Sequence, residues 1–374
     1  MKNYILFLMF LISLSSYSQF TLIPDQNFEQ ALINLGLDDV IDGQVLTANI
    51  SGIEELDIPG LNIQDLTGIQ DFTLLSILSL EYNLLTNLDI SQNINLEILA
   101  IDDNPLISID ISNNLNLFTF SANYTNLTSI DTSMNIDLEM LQVEYCNISS
   151  LDLSNNINLG LLVASGNQLT ELDLSNNILL EEIYLYENQL TEINLENLPN
   201  LLDLFIDDNL LVELDLSNNP LIEELICSYN PNLIYINLKN GNNSIIDTFE
   251  AIVIGSNACI QVDDAAAATA GTAFPYNLWE VDPTAIFSED CSLSTSDFTG
   301  LQIQAFPNPT SGLLNVKTSE VLTYSIYGID GSLIKKSQAL LNNTISLENF
   351  KSGVYFIQFQ SESQGMETIK IIKK

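Results

Sequence analysis

Apolar and polar positions along this chain alternate with one dominant period. The triplet Leu/Ile-Asp/Asn-aliphatic recurs at Leu88-Asp89-Ile90, Ile109-Asp110-Ile111, Leu151-Asp152-Leu153, Leu172-Asp173-Leu174, Ile193-Asn194-Leu195 and Leu214-Asp215-Leu216, in a register of 21 residues. The degenerate Ile130-Asp131-Thr132 falls in the same register. A further copy, Ile236-Asn237-Leu238, arrives one residue late, after Pro231-Asn232. Between the triplets runs a second pattern, Leu96-x-x-Leu99-x-Ile101-x-x-Asn104-x-Leu106, repeated from Leu159 to Leu169 and from Leu201 to Leu211. Such a period predicts stacked coils, each burying its apolar edge against its neighbours. A coil this short has no room for a full helix on its return side, so a second short extended segment is expected there.

The Asn column (Asn83, Asn104, Asn167, Asn188, Asn209, Asn230) is expected to turn the chain inward, its amides satisfying backbone groups the turn leaves unpaired. Thr125 and Cys146 replace Asn in two coils and keep a small hydrogen-bonding side chain there. The L-x-x-L-x-L-x-x-N-x-L spacing is the leucine-rich-repeat signature, and the chain resembles the short, internalin-like bacterial class. The resemblance implies a mainly β solenoid whose L-x-L-x-x-N strands face its concave side. Eight coils at ~4.8 Å would extend about 38 Å.

Both ends of such a stack need covering. Residues 19–65 are expected to form an N-terminal cap and lead-in, with a helix from Phe28 to Leu37 begun by Asp25 and ended near Gly36. The solenoid proper is expected over 66–244. Residues 245–295 lose the period and are expected to be a C-terminal cap stapled by a Cys259–Cys291 disulfide, which would close a loop and protect the exposed end. Cys146 and Cys227 occupy inward positions four coils apart, roughly 19 Å at strand spacing, and are expected to be core thiols.

Composition changes again near the end. Residues 299–374 show strand-like runs (Leu313–Val316, Thr323–Tyr327, Val354–Gln358, Thr368–Ile372) between turn signals, predicting a β-sandwich. The motif Phe306-Pro307-Asn308-Pro309-Thr310-Ser311-Gly312, then Tyr327-Gly328, Asp330-Gly331, Leu347, Gly353-Val354-Tyr355-Phe356 and the final Lys373-Lys374, resembles a type IX secretion C-terminal sorting domain, type A. Pro307, Asn308, Pro309, Gly312, Gly353 and Tyr355 are its expected motif residues. The resemblance implies a partner, the type IX secretion machinery, and export across the outer membrane of a Gram-negative cell. Release or surface attachment would follow. Residues 1–18, with Lys2, an apolar run from Tyr4 to Leu14 and the small-x-small Ser16-Tyr17-Ser18, predict a signal peptide cleaved before Gln19. No other stretch is apolar enough to predict a transmembrane segment in the mature chain.

Charge narrows the partners. The 374 residues carry 9 Lys+Arg and 49 Asp+Glu, with no His. Five of the acids lie from Thr299 onward, and Lys239 is the only cation between Gln19 and Asp297. Such a surface repels nucleic acid and anionic membranes, and favours cations, basic partners or neutral ligands. It also keeps a protein soluble, with no ligand implied.

On the expected concave face, Tyr82, Tyr124, Tyr145, Tyr184, Tyr186, Phe205 and Tyr229 stand among Asp102, Glu144 and Asp207. Aromatic rings with polar handles suit recognition of protein or polysaccharide. A column of Tyr also suits a sheet that needs only its own packing. On the opposite side, Asp89, Asp110, Asp131, Asp152, Asp173 and Asp215, with Asn194 and Asn237, form a ladder with two readings. Each side chain caps a backbone N–H of the next turn, or the ladder's oxygens hold Ca²⁺ as a cofactor. Asp38 to Asn49 faintly resembles a calcium loop, spoiled by Val40. Absence of His removes the usual triads and zinc sites. Asp102/Asp103 and Asp207/Asp208 are the only imagined glycosidase carboxylates, and adjacent strand residues point to opposite faces. The sequence therefore predicts a binding protein, not an enzyme. The alternative is an adhesive coat protein organised by calcium.

Overall fold

A computed structural model describes residues 19–291, 303–317, 322–329, 332–340, 342–361 and 366–374. The expected signal peptide (1–18) and the start of the expected sorting domain (299–302) lie outside these. The chain divides into two compact units, Met1–Cys291 and Ser292–Lys374.

In the first unit, three-residue strands stack in parallel: Ile77–Ser79, Ile98–Ala100, Thr119–Ser121, Met140–Gln142, Leu161–Val163, Glu182–Tyr184, Asp203–Phe205 and Glu224–Ile226. The middle residue of each is buried and its neighbours are, with one exception, half-buried, as a period of two requires on a one-sided sheet. Pairing is in register, with Leu78 opposite Leu99 and Leu99 opposite Phe120.

The stacking extends past the expected solenoid limits of 66 and 244. Glu55–Asp57 precedes it, and Thr248–Ala251 and Glu280–Val281 follow, completing an 11-stranded sheet. The stretch expected as a separate cap thus continues the stack. Its period is hidden because the helix Ala265–Ala270 and the 3₁₀ turn Tyr276–Leu278 are inserted between its strands. Trp279 seals this end edge-on to Phe249 at 5.0 Å, its Nε1 donating to the Ile246 carbonyl at 2.9 Å. Cys259 and Cys291 are joined by a disulfide, while Cys146 and Cys227 are free and buried.

On the return side, the expected second strands form a parallel sheet only late in the stack: Glu213–Asp215, Tyr235–Asn237, Cys259–Gln261 and Ile286–Ser288. In earlier coils the same triplets are held by side chains instead. A buried row, Asn93, Asn114, Asn135, Asn156 and Asn177, donates to carbonyls of the preceding coil; Asn135 Nδ2 reaches Ile111 O at 3.2 Å and Asn114 O at 2.8 Å. The Asn column noted in the sequence does the same on the sheet side. Asn188 Oδ1 accepts from Leu169 N at 3.0 Å, and its Nδ2 donates to Ala164 O and Leu185 O at 3.0 and 3.1 Å. Two asparagine ladders therefore bind each coil to the one before it.

At the N-terminal end, helix Gln26–Asn34 buries Phe28, Ala31 and Leu32, with Phe28 stacked on Phe72 at 6.3 Å. Asp25 caps it through Asn27 N and Phe28 N, and its other oxygen accepts from Gln64 N and Asp65 N, fastening helix to coil. The segment with a faint calcium-loop spacing behaves differently. Backbone N–H groups of Asp42, Gly43 and Gln44 converge on buried Glu29 Oε1 at 2.8, 2.6 and 3.1 Å. The loop thus presents donors to an anion, the opposite of what a cation needs.

The second unit holds two antiparallel sheets. One contains Gln304–Phe306, Leu313–Lys317 and Thr344–Ser346; the other orders Leu333–Ala339, Leu322–Gly328, Gly353–Ser361 and Met366–Lys373. Leu314, Ile326, Ile345, Leu347, Ile357 and Phe359 share one core between them.

Candidate functional site

The sheet face of the solenoid gathers the aromatic and acidic residues singled out in the sequence. A feature of the backbone aims them. Tyr82, Asp103, Tyr124, Tyr145, Glu187, Asp208 and Tyr229 all have positive φ, between 48° and 58°, and Gly166 completes the column at 64°. This left-handed conformation disfavours side chains with a Cβ. It is held by ladder bonds such as Tyr124 N to Glu144 O and Tyr145 N to Ser165 O, both 2.8 Å, and it swings the next residue, the column Asn, into the core. Gly166 is the one sequence hint of this geometry.

Three consecutive coils make the centre of the face. They carry Glu144-Tyr145, Ser165-Gly166 and Tyr186-Glu187 at equivalent positions. Tyr145 Oη reaches past the middle coil to Glu187 Oε1 at 2.9 Å. Tyr186 Oη reaches back the other way and donates to Glu144 Oε1. The Tyr145 ring lies over Gly166 so closely that a Cβ there would come within 2.3 Å of it. Tyr145 also stacks on Tyr124 at 5.1 Å and meets Tyr186 edge-on at 6.3 Å. The result is a reciprocal clasp of two tyrosines and two glutamates over a small pair. Burial, then the bond to Glu187, pushes the Tyr145 hydroxyl up to about 12, so it stays a donor across the physiological range. Ser165 is fully buried in this middle coil, and its Oγ has no hydrogen-bond partner.

The remaining expected residues flank the clasp. Tyr184 stacks on Phe205 at 4.9 Å and its hydroxyl bonds Glu182 at 3.2 Å. Tyr82 and Tyr229 are exposed. Half-buried Asp102 is engaged by the next coil of the sheet: its oxygens accept from Ser121 Oγ at 2.7 and 2.8 Å and from Asn123 N. Burial raises its pKa, and it raises that of Asp207 as well. Asp203 is pushed up to about 6 by burial and by Glu224 and Glu182, which stand beside it on the two adjoining strands.

On the opposite side the Asp ladder caps turns. Asp89, Asp110, Asp131, Asp152, Asp173 and Asp215 each accept through Oδ1 from the N–H two residues on, at 2.9 to 3.0 Å. Hydrogen bonds from the side chain and backbone of Ser91, Ser112, Ser133 and Ser154 hold the first four carboxyls below the usual range. Among the described residues no group of three or more His, Cys, Asp or Glu is placed to hold a metal ion.

In the second unit the Pro-rich motif docks onto the end of the chain. Asn308 Nδ2 donates to Lys370 O at 2.7 Å and Asn308 Oδ1 accepts from Ile372 N at 2.9 Å. Buried Thr310 donates from its N–H to Ile372 O and accepts from Lys374 N through its carbonyl. Gly312 packs against Glu348, where a Cβ would come within 2.9 Å. Tyr355 Oη donates to Lys351 O at 2.8 Å.

Residues 304–374 match the secretion system C-terminal sorting domain. No curated protein matches the chain. Among solved structures, the chain is similar to the functional domain of InlJ from Listeria monocytogenes, which includes a cysteine ladder, with 20% identity, 96% of this chain and 99% of that one covered, and a TM-score of 0.37. It is similar to internalin C2 from the same species at 23% identity, with 52% and 91% covered and a TM-score of 0.47. A leucine-rich-repeat protein of Leptospira interrogans shares 18% identity, with 70% and 94% covered and a TM-score of 0.41. The sorting tail marks the chain as cargo of the type IX system, delivered to the cell surface or beyond. No helix among the described residues is long and apolar enough to cross a membrane.

Proposed function

We propose that this leucine-rich-repeat solenoid, exported through its sorting tail, is a binding module that recognises a protein or polysaccharide through the concave face of its sheet. The observation that carries this reading is the clasp. Tyr145 and Tyr186 are gathered by ring contacts with Tyr124 and with each other and by bonds to Glu187 and Glu144, so an aromatic and acidic patch stands assembled on the face before a ligand arrives. Rings that are prearranged and wet on one side are the commonest anchors of recognition surfaces. Binding rather than catalysis is supported by the absence of His and by Asp102, whose oxygens are taken up by Ser121 and Asn123. The imagined glycosidase pairs Asp102/Asp103 and Asp207/Asp208 sit at left-handed turns, not in a convergent pocket.

The test screens the full chain against cell-surface polysaccharides and secreted proteins, with and without calcium, beside a Tyr124→Ala/Tyr145→Ala/Tyr186→Ala variant. Saturable binding that the variant loses is the expected result. Binding that the variant keeps and calcium controls would overturn it in favour of a coat protein working through the Asp ladder.

A further inference from the structure

The clasp joins two carboxylates to tyrosine rings and contains no positive charge. Lys239 is the only lysine among the described residues of the solenoid unit, and its Nζ is engaged with Glu289 O at 2.8 Å. Glu144 and Glu187 are therefore bonded by neutral phenols, which make weaker partners for a carboxylate than a cation does. The coil between them is cut down to Ser165-Gly166, the smallest pair in these two columns. Ser165 stands in the column of Glu144 and Tyr186, fully buried, with an Oγ that has neither donor nor acceptor. Unpartnered buried hydroxyls are uncommon and costly. By register it stands between Glu144 and Tyr186, whose side chains bond across its coil.

We propose that the clasp receives a lysine or arginine side chain of a basic polypeptide. Its cationic head takes Glu144 and Glu187 in place of the tyrosine hydroxyls, lies against the rings of Tyr145 and Tyr186, and donates to Ser165 Oγ. Ring faces attract ammonium and guanidinium groups, and the surrounding acidic surface draws such a ligand in from a distance. The tyrosine hydroxyls are place-holders that donate to the carboxylates until the cation arrives. An anionic polysaccharide has no donor here to meet. This inference rests on the concave-face reading and narrows its ligand to one chemistry.

The experiment titrates the full chain with a capped pentalysine peptide, with pentaglutamate and an uncharged peptide as controls, following heat release and tyrosine difference absorbance together. Pentalysine is expected to bind saturably with a tyrosine signal, and the controls to give none. Glu144→Gln/Glu187→Gln should weaken binding roughly tenfold or more. Asp152→Asn/Asp173→Asn removes the same charge from the opposite side and should leave affinity unchanged. Tyr145→Phe/Tyr186→Phe frees the carboxylates while keeping the rings, and should bind as tightly as the parent or tighter. Circular dichroism confirms that each variant is folded. No binding, equal weakening by both acid variants, or weaker binding by the Phe variant would overturn the proposal. If pentalysine fails while a ligand sensitive to the triple Tyr→Ala change is still found, only the cationic site falls. If no such ligand is found either, the concave-face reading falls with it.

Discussion

Tyr145 and Glu187 lie 42 positions apart in sequence, yet their side chains meet at 2.9 Å across an intervening coil. Stacked coils place equivalent residues about 4.8 Å apart, so a bond that skips one coil requires a long side chain at each end and almost none between. Tyr145, Gly166 and Glu187 meet that requirement. Tyr186, Ser165 and Glu144 meet it in reverse order.

Gly166 is consequently constrained by its neighbour more than by its own backbone. Other members of its column are non-glycine at similar φ, so left-handed geometry alone is tolerated here. A methyl group at Gly166 would collide with the Tyr145 ring. Gly166→Ala is expected to destabilise the chain by about 2–3 kcal/mol and to change the near-ultraviolet dichroism of the tyrosines. Adding Tyr145→Ala should recover most of the loss in a double-mutant cycle followed by urea unfolding. Additive losses would show that the ring is not the obstacle.

Asn188 tests the sheet-side ladder. Removing its amide strands one backbone N–H and two carbonyls inside the stack, so Asn188→Ala is expected to cost about 2–4 kcal/mol. Asn188→Thr should cost clearly less. Thr125 already fills an equivalent place, its Oγ1 bonding Ala122 O at 2.9 Å. Equal costs for Ala and Thr in chemical denaturation would refute this account.

Asp203 gives the fold a pH dependence. Its pKa is pushed up to about 6 by burial and by Glu224 and Glu182, above the value of a free carboxyl, so the protonated form favours the folded state. That advantage is complete below about pH 4 and is lost as pH rises through about 6. Asp203→Asn should therefore raise the melting temperature at pH 7, by about 1 kcal/mol of stability once partial exposure and screening are discounted. The gain should vanish near pH 4. A gain that is independent of pH would exclude a charge origin.

Asn308 tests the sorting tail. Its side chain closes the Pro-rich motif onto Lys370 and Ile372, which explains why the motif and the chain's last strand occur together. Asn308→Ala is expected to loosen that strand and to lower the amount of protein reaching the surface or medium of a type IX-competent host, measured by immunoblot of cell and medium fractions. Unchanged export would show that the machinery does not need this junction.

What the sequence revealed and what it hid follow from the range of each interaction. The coils were legible because Leu99, Leu162 and Leu204 bury locally and in register. The sheet-side Asn column was legible because its spacing is fixed relative to those leucines. The second ladder of Asn93, Asn114 and Asn135 was obscured because it lies in a polar turn, although these three are almost wholly buried. The late coils were hidden by inserted turns that lengthen the path between Thr248–Ala251 and Glu280–Val281. Strand Leu333–Ala339 was missed because it lies at a sheet edge with nearly every side chain exposed, and so shows no alternation. The tyrosines were recognised as a group, but their pairing with Glu144 and Glu187 depends on rotamers reaching over two coils. The mirrored order Glu-Tyr, Ser-Gly, Tyr-Glu is the signal that was available.

The asparagine ladders also fix how such a chain can change length. On the return side the amides bond carbonyls 21 and 24 positions earlier, and on the sheet side Asn188 reaches one 24 positions earlier, so coil after coil presents to the next a set of acceptors like the one it received. Duplicating or excising one whole period leaves the joint chemically identical, much as a crystal can gain or lose a unit cell. A cut of any other size orphans an entire rung. Across the 21-residue coils length is therefore expected to change in whole turns, while the later coils take up inserted residues, such as the helix Ala265–Ala270, between their strands. The three coils of the clasp are the exception, because each of its two bonds spans the middle coil and is fitted to that spacing. They must be inherited as a block.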